Sequence, residues 1–127
     1  MRYTPKQIEK YQRQKYIAHL EKIGKNLFRM FRDPGMGAEK FLRRFDELMR
    51  RLDALDTIRL DSEYLRESEG HYRTLHKSLH ENNFDDRVLD AMRESGMSEL
   101  NRLQKMKNRS SYKKEKHRER MQRDGWE

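Results

Sequence analysis

His76 and His80 are the residues whose type and spacing come nearest to chemistry. They stand four apart, which puts both imidazoles on one face of a helix, where a pair can share a metal ion. Glu69 and Arg73 fall on the same side, but the glutamate fits no known metalloprotease spacing and a third ligand is not evident. The pair therefore reads as surface histidines, with no metal and no cofactor expected. His19, His71 and His117 are isolated. The chain has no glycine-rich phosphate loop, no nucleophile elbow and no cysteine. The Glu-x-x-His motifs that would build a di-metal site between helices are also absent. The acids of the middle section (Asp53, Asp56, Asp61, Glu63, Glu67 and Glu69) read as solvated, so a non-enzymatic protein is expected.

Charge carries more information. The 127 residues have a net charge of +8, unevenly spread. Residues 1–32 hold 9 Lys/Arg against 2 Asp/Glu, residues 33–99 hold 11 against 16, and residues 100–127 hold 10 against 4. The order is basic, acidic, basic. In the first basic block, Lys15, Lys22, Lys25, Arg29 and Arg32 fall opposite the apolar face of a helix, and between residues 10 and 32 only Glu21 is negative. In the last, Arg102, Lys105, Lys107, Arg109, Lys113, Lys114, Lys116, Arg118, Arg120 and Arg123 make a cationic arm with Tyr112 and His117 interleaved. Phosphate backbones attract such arms through counterion release, and aromatic rings can stack on unpaired bases. The plainer reading of both is a solvated face and a solubilising tail, or basic ends that fold back on the acidic middle. Residues 88–104 also suggest a helix-turn-helix around Ser95-Gly96-Met97-Ser98. Its detailed pattern fails, because Met92 stands where a small residue is needed and Arg102 where an apolar one is needed.

These groups have to be positioned by helices. Thr4-Pro5-Lys6-Gln7 is a capping-box start, and Tyr16, Leu20, Ile23, Leu27, Met30 and Phe31 recur at helical period, so a first helix is expected over residues 4–32. Gly24 inside it costs ~1 kcal/mol against alanine unless it serves close packing. Asp33-Pro34-Gly35 breaks the helix. A second helix over residues 39–55 carries Phe41, Phe45, Leu48, Leu52 and Leu55 at alternating spacings of four and three, a short coiled-coil-like seam. Arg43, Arg44, Arg50 and Arg51 lie off that seam, within reach of Asp46 and Glu47. A third helix runs from a cap at Asp61 or Ser62 to His80, with Gly70 weakening its continuity. A fourth starts at Asp85-Asp86 and buries Phe84, Val88, Leu89 and Met92. Ser95-Gly96 is expected to stop it, and Ser98 to cap a fifth segment with Leu100, Leu103 and Met106. After Met106 the apolar rhythm is lost.

The expected fold is thus an all-α bundle of four to five helices built on an N-terminal antiparallel hairpin. The bundle domain covers residues 1–106, and residues 107–127 form a basic C-terminal tail. Only 33% of residues are hydrophobic and 41% are charged, so the core is thin and self-association is expected. The homo-oligomer interface would lie on Phe41, Phe45, Leu48, Leu52 and Leu55. No apolar run approaches the ~18 residues that span a bilayer, no secretory leader is evident, and the lack of cysteine suits a reducing intracellular compartment such as the cytoplasm. The leading expectation is a nucleic-acid-binding protein using phosphate contacts. The alternatives are an adaptor that docks on an acidic protein surface and a peripheral binder of anionic membranes.

Overall fold

The computed structural model describes residues 4–109, which form four helices and no strand: α1 (Pro5–Arg32), α2 (Ala38–Asp53), α3 (Glu63–Glu81) and α4 (Asp86–Arg109). Each helix touches the other three. Side-chain pairs fix the directions. Gln12 with Asp56 and His19 with Leu48 set α1 against α2, while Arg93 at the end of α1 and Lys107 beside Glu21 set α4 against α1. Asp53 with Arg73 and Asp46 with His76 set α3 against α2, so successive helices alternate in direction, as in an up-down-up-down bundle.

α1 starts as its sequence dictates. Thr4 Oγ1 accepts from the Gln7 N–H at 3.2 Å and Gln7 Oε1 accepts from the Thr4 N–H at 2.8 Å, closing the capping box around Pro5. It ends at Asp33, whose carboxylate accepts from the Gly35 N–H at 2.9 Å. The turn back into α2 is held from outside. Gly37 has no side chain to cap α2, so Asp86, the first residue of α4, accepts the Ala38 N–H at 2.7 Å. Arg93, also on α4, donates to the carbonyls of Met30, Phe31, Asp33 and Met36 at 2.7–3.0 Å. One guanidinium thus gathers carbonyls of the end of α1 and of the turn after it, where Asp33 also accepts from the Met36 N–H at 3.1 Å.

The core runs through all four helices and includes Leu20, Ile23, Leu27 and Phe31 of α1, Leu65 and Tyr72 of α3, and Leu89 and Leu103 of α4. Phe41, Phe45, Leu48 and Leu52 are fully buried there, and Leu55 is half-buried against the same cluster. This corrects the interface expectation. Phe41, Phe45, Leu48 and Leu52 are closed over by α1, α3 and α4 of their own chain and offer no surface to a second copy, and of the expected seam only Leu55 stays partly exposed.

The expected break at Ser95-Gly96 does not occur, because α4 is continuous through it and there is neither a fifth helix nor a helix-turn-helix among the described residues. Gly96 is there to let α4 approach α1. A Cβ at this position would stand 2.6 Å from the ring of Phe31. Gly24 plays the same part on α1, where a Cβ would meet the Tyr72 hydroxyl at 2.5 Å. Gly70 has open space around it, and α3 runs through it unbroken. The helix of α4 also passes the expected domain boundary at residue 106. The rest of the tail expectation (Tyr112, Lys113, Lys114, Lys116, Arg118, Arg120 and Arg123) lies outside the described residues.

Candidate nucleic-acid interface

The fate of the acidic middle decides whether any cation remains for a ligand. Most of its carboxylates are taken by groups of the same section. Glu39 pairs with Arg43, Glu47 with Arg44 and Arg51, Asp53 and Glu69 with Arg73, Glu81 with Lys77, and Asp90 with Arg93. Asp85 caps the Val88 N–H. Three of its carboxylates reach α1: Asp61 pairs with Arg13 at 3.4 Å, Asp56 accepts from Gln12 at 2.8 Å, and Glu69 accepts from the Tyr16 hydroxyl at 2.9 Å. Burial raises the pKa of that phenol, and its bond to Glu69 adds to the rise.

The outer face of α1 has one acid at its edge, Glu21, and Lys107 holds it. Lys15, Lys22, Lys25, Arg29 and Arg32 are all exposed, and none has an ion pair among the described residues. Lys15 lies over the Tyr11 ring and Arg32 over the Phe28 ring, each at 5.9 Å from the centroid. Lys22, Lys25 and Arg29 follow one another at spacings of three and four, along one stripe facing away from the core. A groove of about 1180 Å³ follows this stripe, with Lys6, Glu9 and Lys10 at one end, Glu21, Lys25 and Arg29 at the other, and Asp61 and Leu65 on its far wall. A second groove of about 400 Å³, between α1 and the ends of α3 and α4, has Lys25, Arg29 and Arg32 on its rim. Lys25 and Arg29 therefore stand on the ridge between two open channels.

The α4 part of the expected site is less available. Arg102 is held by Glu99 at 2.6 Å and Glu67 at 3.7 Å, and Lys107 by Glu21 at 3.2 Å. Lys105 is exposed. The Lys107–Glu21 pair does bring the last turns of α4 alongside the basic stripe, so the two expected halves of the site are neighbours. Arg109 is the last described residue of α4.

Elsewhere the structure assembles what sequence spacing did not show. Asp46, expected to pair with arginines of α2, instead receives His76 Nε2 at 2.6 Å and His80 Nε2 at 2.5 Å on one oxygen, Oδ1. Burial pushes the Asp46 carboxyl up, but the bonds from His80 and His76 outweigh it and hold the group below the usual carboxylate range. The histidines share a face of α3, so the missing signal was only which residue of α2 faces them. Asp46 follows the buried Phe45, whose ring lies against His76 with centroids 4.9 Å apart. Comparison with known protein families, curated proteins and solved structures finds no match for this chain. Among the described residues no helix is long and apolar enough to cross a membrane.

Proposed function

We propose that this protein binds nucleic acid through phosphate contacts along the outer face of α1, with Lys22, Lys25 and Arg29 at the centre and Lys15 and Arg32 at the flanks. The observation that carries the reading is that the carboxylates of the acidic middle that have partners go to its own arginines, lysine, histidines and backbone N–H groups, or to Gln12, Arg13, Tyr16 and Arg102, and none to Lys22, Lys25 or Arg29, so the stripe keeps its charge beside two open grooves. A solvated helix face normally mixes signs, whereas residues 10–32 set Glu21 alone against their cations and Lys107 already holds it. Nothing in the arrangement reads base edges, so sequence-independent binding is expected, weakening steeply with salt. Duplex and single strand are both within reach of such a stripe.

The test sets two triple variants of equal charge against each other. Lys22→Gln/Lys25→Gln/Arg29→Gln removes the stripe. Arg43→Gln/Arg51→Gln/Lys77→Gln removes three exposed cations that have acid partners. By fluorescence anisotropy on a labelled duplex, the first should lower the slope of log K against log salt by about 2–3, roughly 0.9 for each phosphate left without its cation. The second should leave the slope nearly unchanged. Equal falls in the two variants would mean that net charge alone is read, and no binding by the parent protein at low salt would sink the proposal. Capture of an acidic protein with a shallow salt dependence would favour the adaptor reading instead.

A further inference from the structure

Away from the basic face, two helices bring three metal-type donors to one point. We propose that Asp46, His76 and His80 form a binding site for one divalent transition-metal ion of the zinc type, with its remaining coordination open to solvent. The two histidine nitrogens and the aspartate oxygen all lie within 4.8 Å of one another. They come from different elements: α3 supplies the imidazoles from successive turns, and α2 supplies the carboxylate. His76 is fixed by the edge-on contact with buried Phe45, and His80 stands edge-on to His76 with centroids 4.7 Å apart. His80 is half exposed, so the site has an entrance.

Without metal, each Nε2 donates its hydrogen to the same carboxylate oxygen, and a metal ion takes the place of those two hydrogens. Each neutral imidazole then carries its one proton on Nδ1 and presents the Nε2 lone pair. Bonds of about 2.0–2.1 Å in a tetrahedral site separate the donor atoms by about 3.3 Å. The two nitrogens must therefore retreat from Oδ1 by about 0.7–0.8 Å, a movement that side-chain rotation at the solvent edge provides. Two imidazoles and one carboxylate select zinc and its neighbours over magnesium and calcium, which prefer all-oxygen shells. The surrounding charge also favours a cation: the open groove beside Asp46 is lined by Glu39, Asp85 and Asp86 against the single cation Arg43. Bound metal would join α2 to α3 across the bundle, and any ion that binds only the folded chain raises its stability.

The experiment uses the full chain after treatment with a chelator, and it needs no nucleic acid. Cobalt(II) chloride should develop the visible absorption of a four-coordinate site, saturating at one equivalent per chain. Zinc chloride should displace it and raise Tm, while magnesium chloride should not. His76→Gln, His80→Gln and Asp46→Asn should each weaken zinc binding at least about tenfold, with helical circular dichroism kept. His71→Gln, outside the cluster on α3, should bind as the parent does. Absence of the cobalt spectrum, unchanged affinity in His80→Gln, or a loss that follows His71→Gln would overturn the proposal. The cluster would then be a hydrogen-bonded clamp between two helices and nothing more.

Discussion

α1 presents two faces that differ in every physical respect. Its outer face carries Lys15, Lys22, Lys25, Arg29 and Arg32 with no acid partner among the described residues, beside open grooves. Its inner face is packed so closely that glycines are needed at Gly24 and Gly96 for neighbouring groups to fit. The contrast teaches that net charge and apolar content, summed over the chain, miss what matters. The arginines of the middle section outnumber those of α1, yet most of them are bound to carboxylates or carbonyls and serve the fold. If the division is real, substitutions on the inner face and its clamps should cost stability and leave binding to the surviving protein alone, and substitutions on the outer face should do the reverse.

The largest expected effect is at the clamp over the end of α1. Arg93 has a nearly buried side chain and donates to four backbone carbonyls. Arg93→Ala takes this donor from all four carbonyls, of which Asp33 keeps the Met36 N–H, and should cost about 2–4 kcal/mol in urea unfolding, since hydrogen bonds from a charged donor contribute about 1.5–3 kcal/mol each and are not additive. Arg93→Lys keeps the charge near the helix end but not the planar fork, so it should recover less than half of the loss. Full recovery by lysine would show that charge at the helix terminus, not the set of bonds, is what stabilises the turn.

Next comes the contact between α4 and α1. Gly96→Ala places a methyl group 2.6 Å from the ring of Phe31, which is itself buried with its ring 5.0 Å from that of Phe41. Overpacking costs about 1–3 kcal/mol, offset in part by the ~1 kcal/mol that alanine gains over glycine in a helix. A net loss of up to about 2 kcal/mol is expected in the same assay, with duplex affinity of the folded variant unchanged. A stabilised variant would break the picture of an inner face packed to its limit.

This position also marks what can be read from sequence and what cannot. Helix spans, the capping box at Thr4 and the core face of α1 are legible because caps and period 3.6 are local properties. Ser95-Gly96 misleads because glycine after serine is also the local signal of a helix end. A longer view corrects it, since Leu89, Gly96 and Leu103 follow at heptad spacing and a break would not keep that register. The seam of α2 looks spare in the sequence because its partners on α3 and α4 are set by tertiary packing. Asp46 is hidden for the same reason, as no local rule says that it faces His76 and His80. The stripe on α1 is legible as a stripe, but its lack of partners is not, because that depends on where acids tens of residues away are spent.

Acid should act on the packed and paired parts of the molecule and spare the outer face of α1, whose cations keep their charge. His71 is half-buried on α3, and burial is the main cause that lowers its pKa from 6.5, with nearby Arg102 adding to the fall and Glu99 opposing it. The unfolded chain therefore takes up this proton first. The contribution of His71 to stability is fully present above pH 6.5 and declines as pH drops below it towards the lowered folded value. The carboxyl of Asp46 acts in the same direction lower down, with its contribution present above pH 3.8 and lost as pH falls through its depressed folded value. His71→Gln should flatten the first decline of Tm and Asp46→Asn the second. If His71→Gln leaves the profile between neutral pH and about pH 5 unchanged, burial of that ring is not what couples the fold to protons.

The smallest effect separates the faces most sharply. Lys22, Lys25 and Arg29 are like charges at spacings of three and four on one helix face, and each such pair costs about 0.2–0.5 kcal/mol. The outer face is therefore mildly unfavourable to the fold it belongs to. Lys22→Gln removes its repulsion with Lys25, breaks no ion pair among the described residues, and exchanges one good helix former for another. It should raise stability by about 0.2–0.5 kcal/mol while weakening duplex binding and lowering the salt slope by about 0.9. A gain in stability joined to a loss in binding is what a surface held for a ligand would show. A residue that merely decorates a solvated helix would give the gain without the loss.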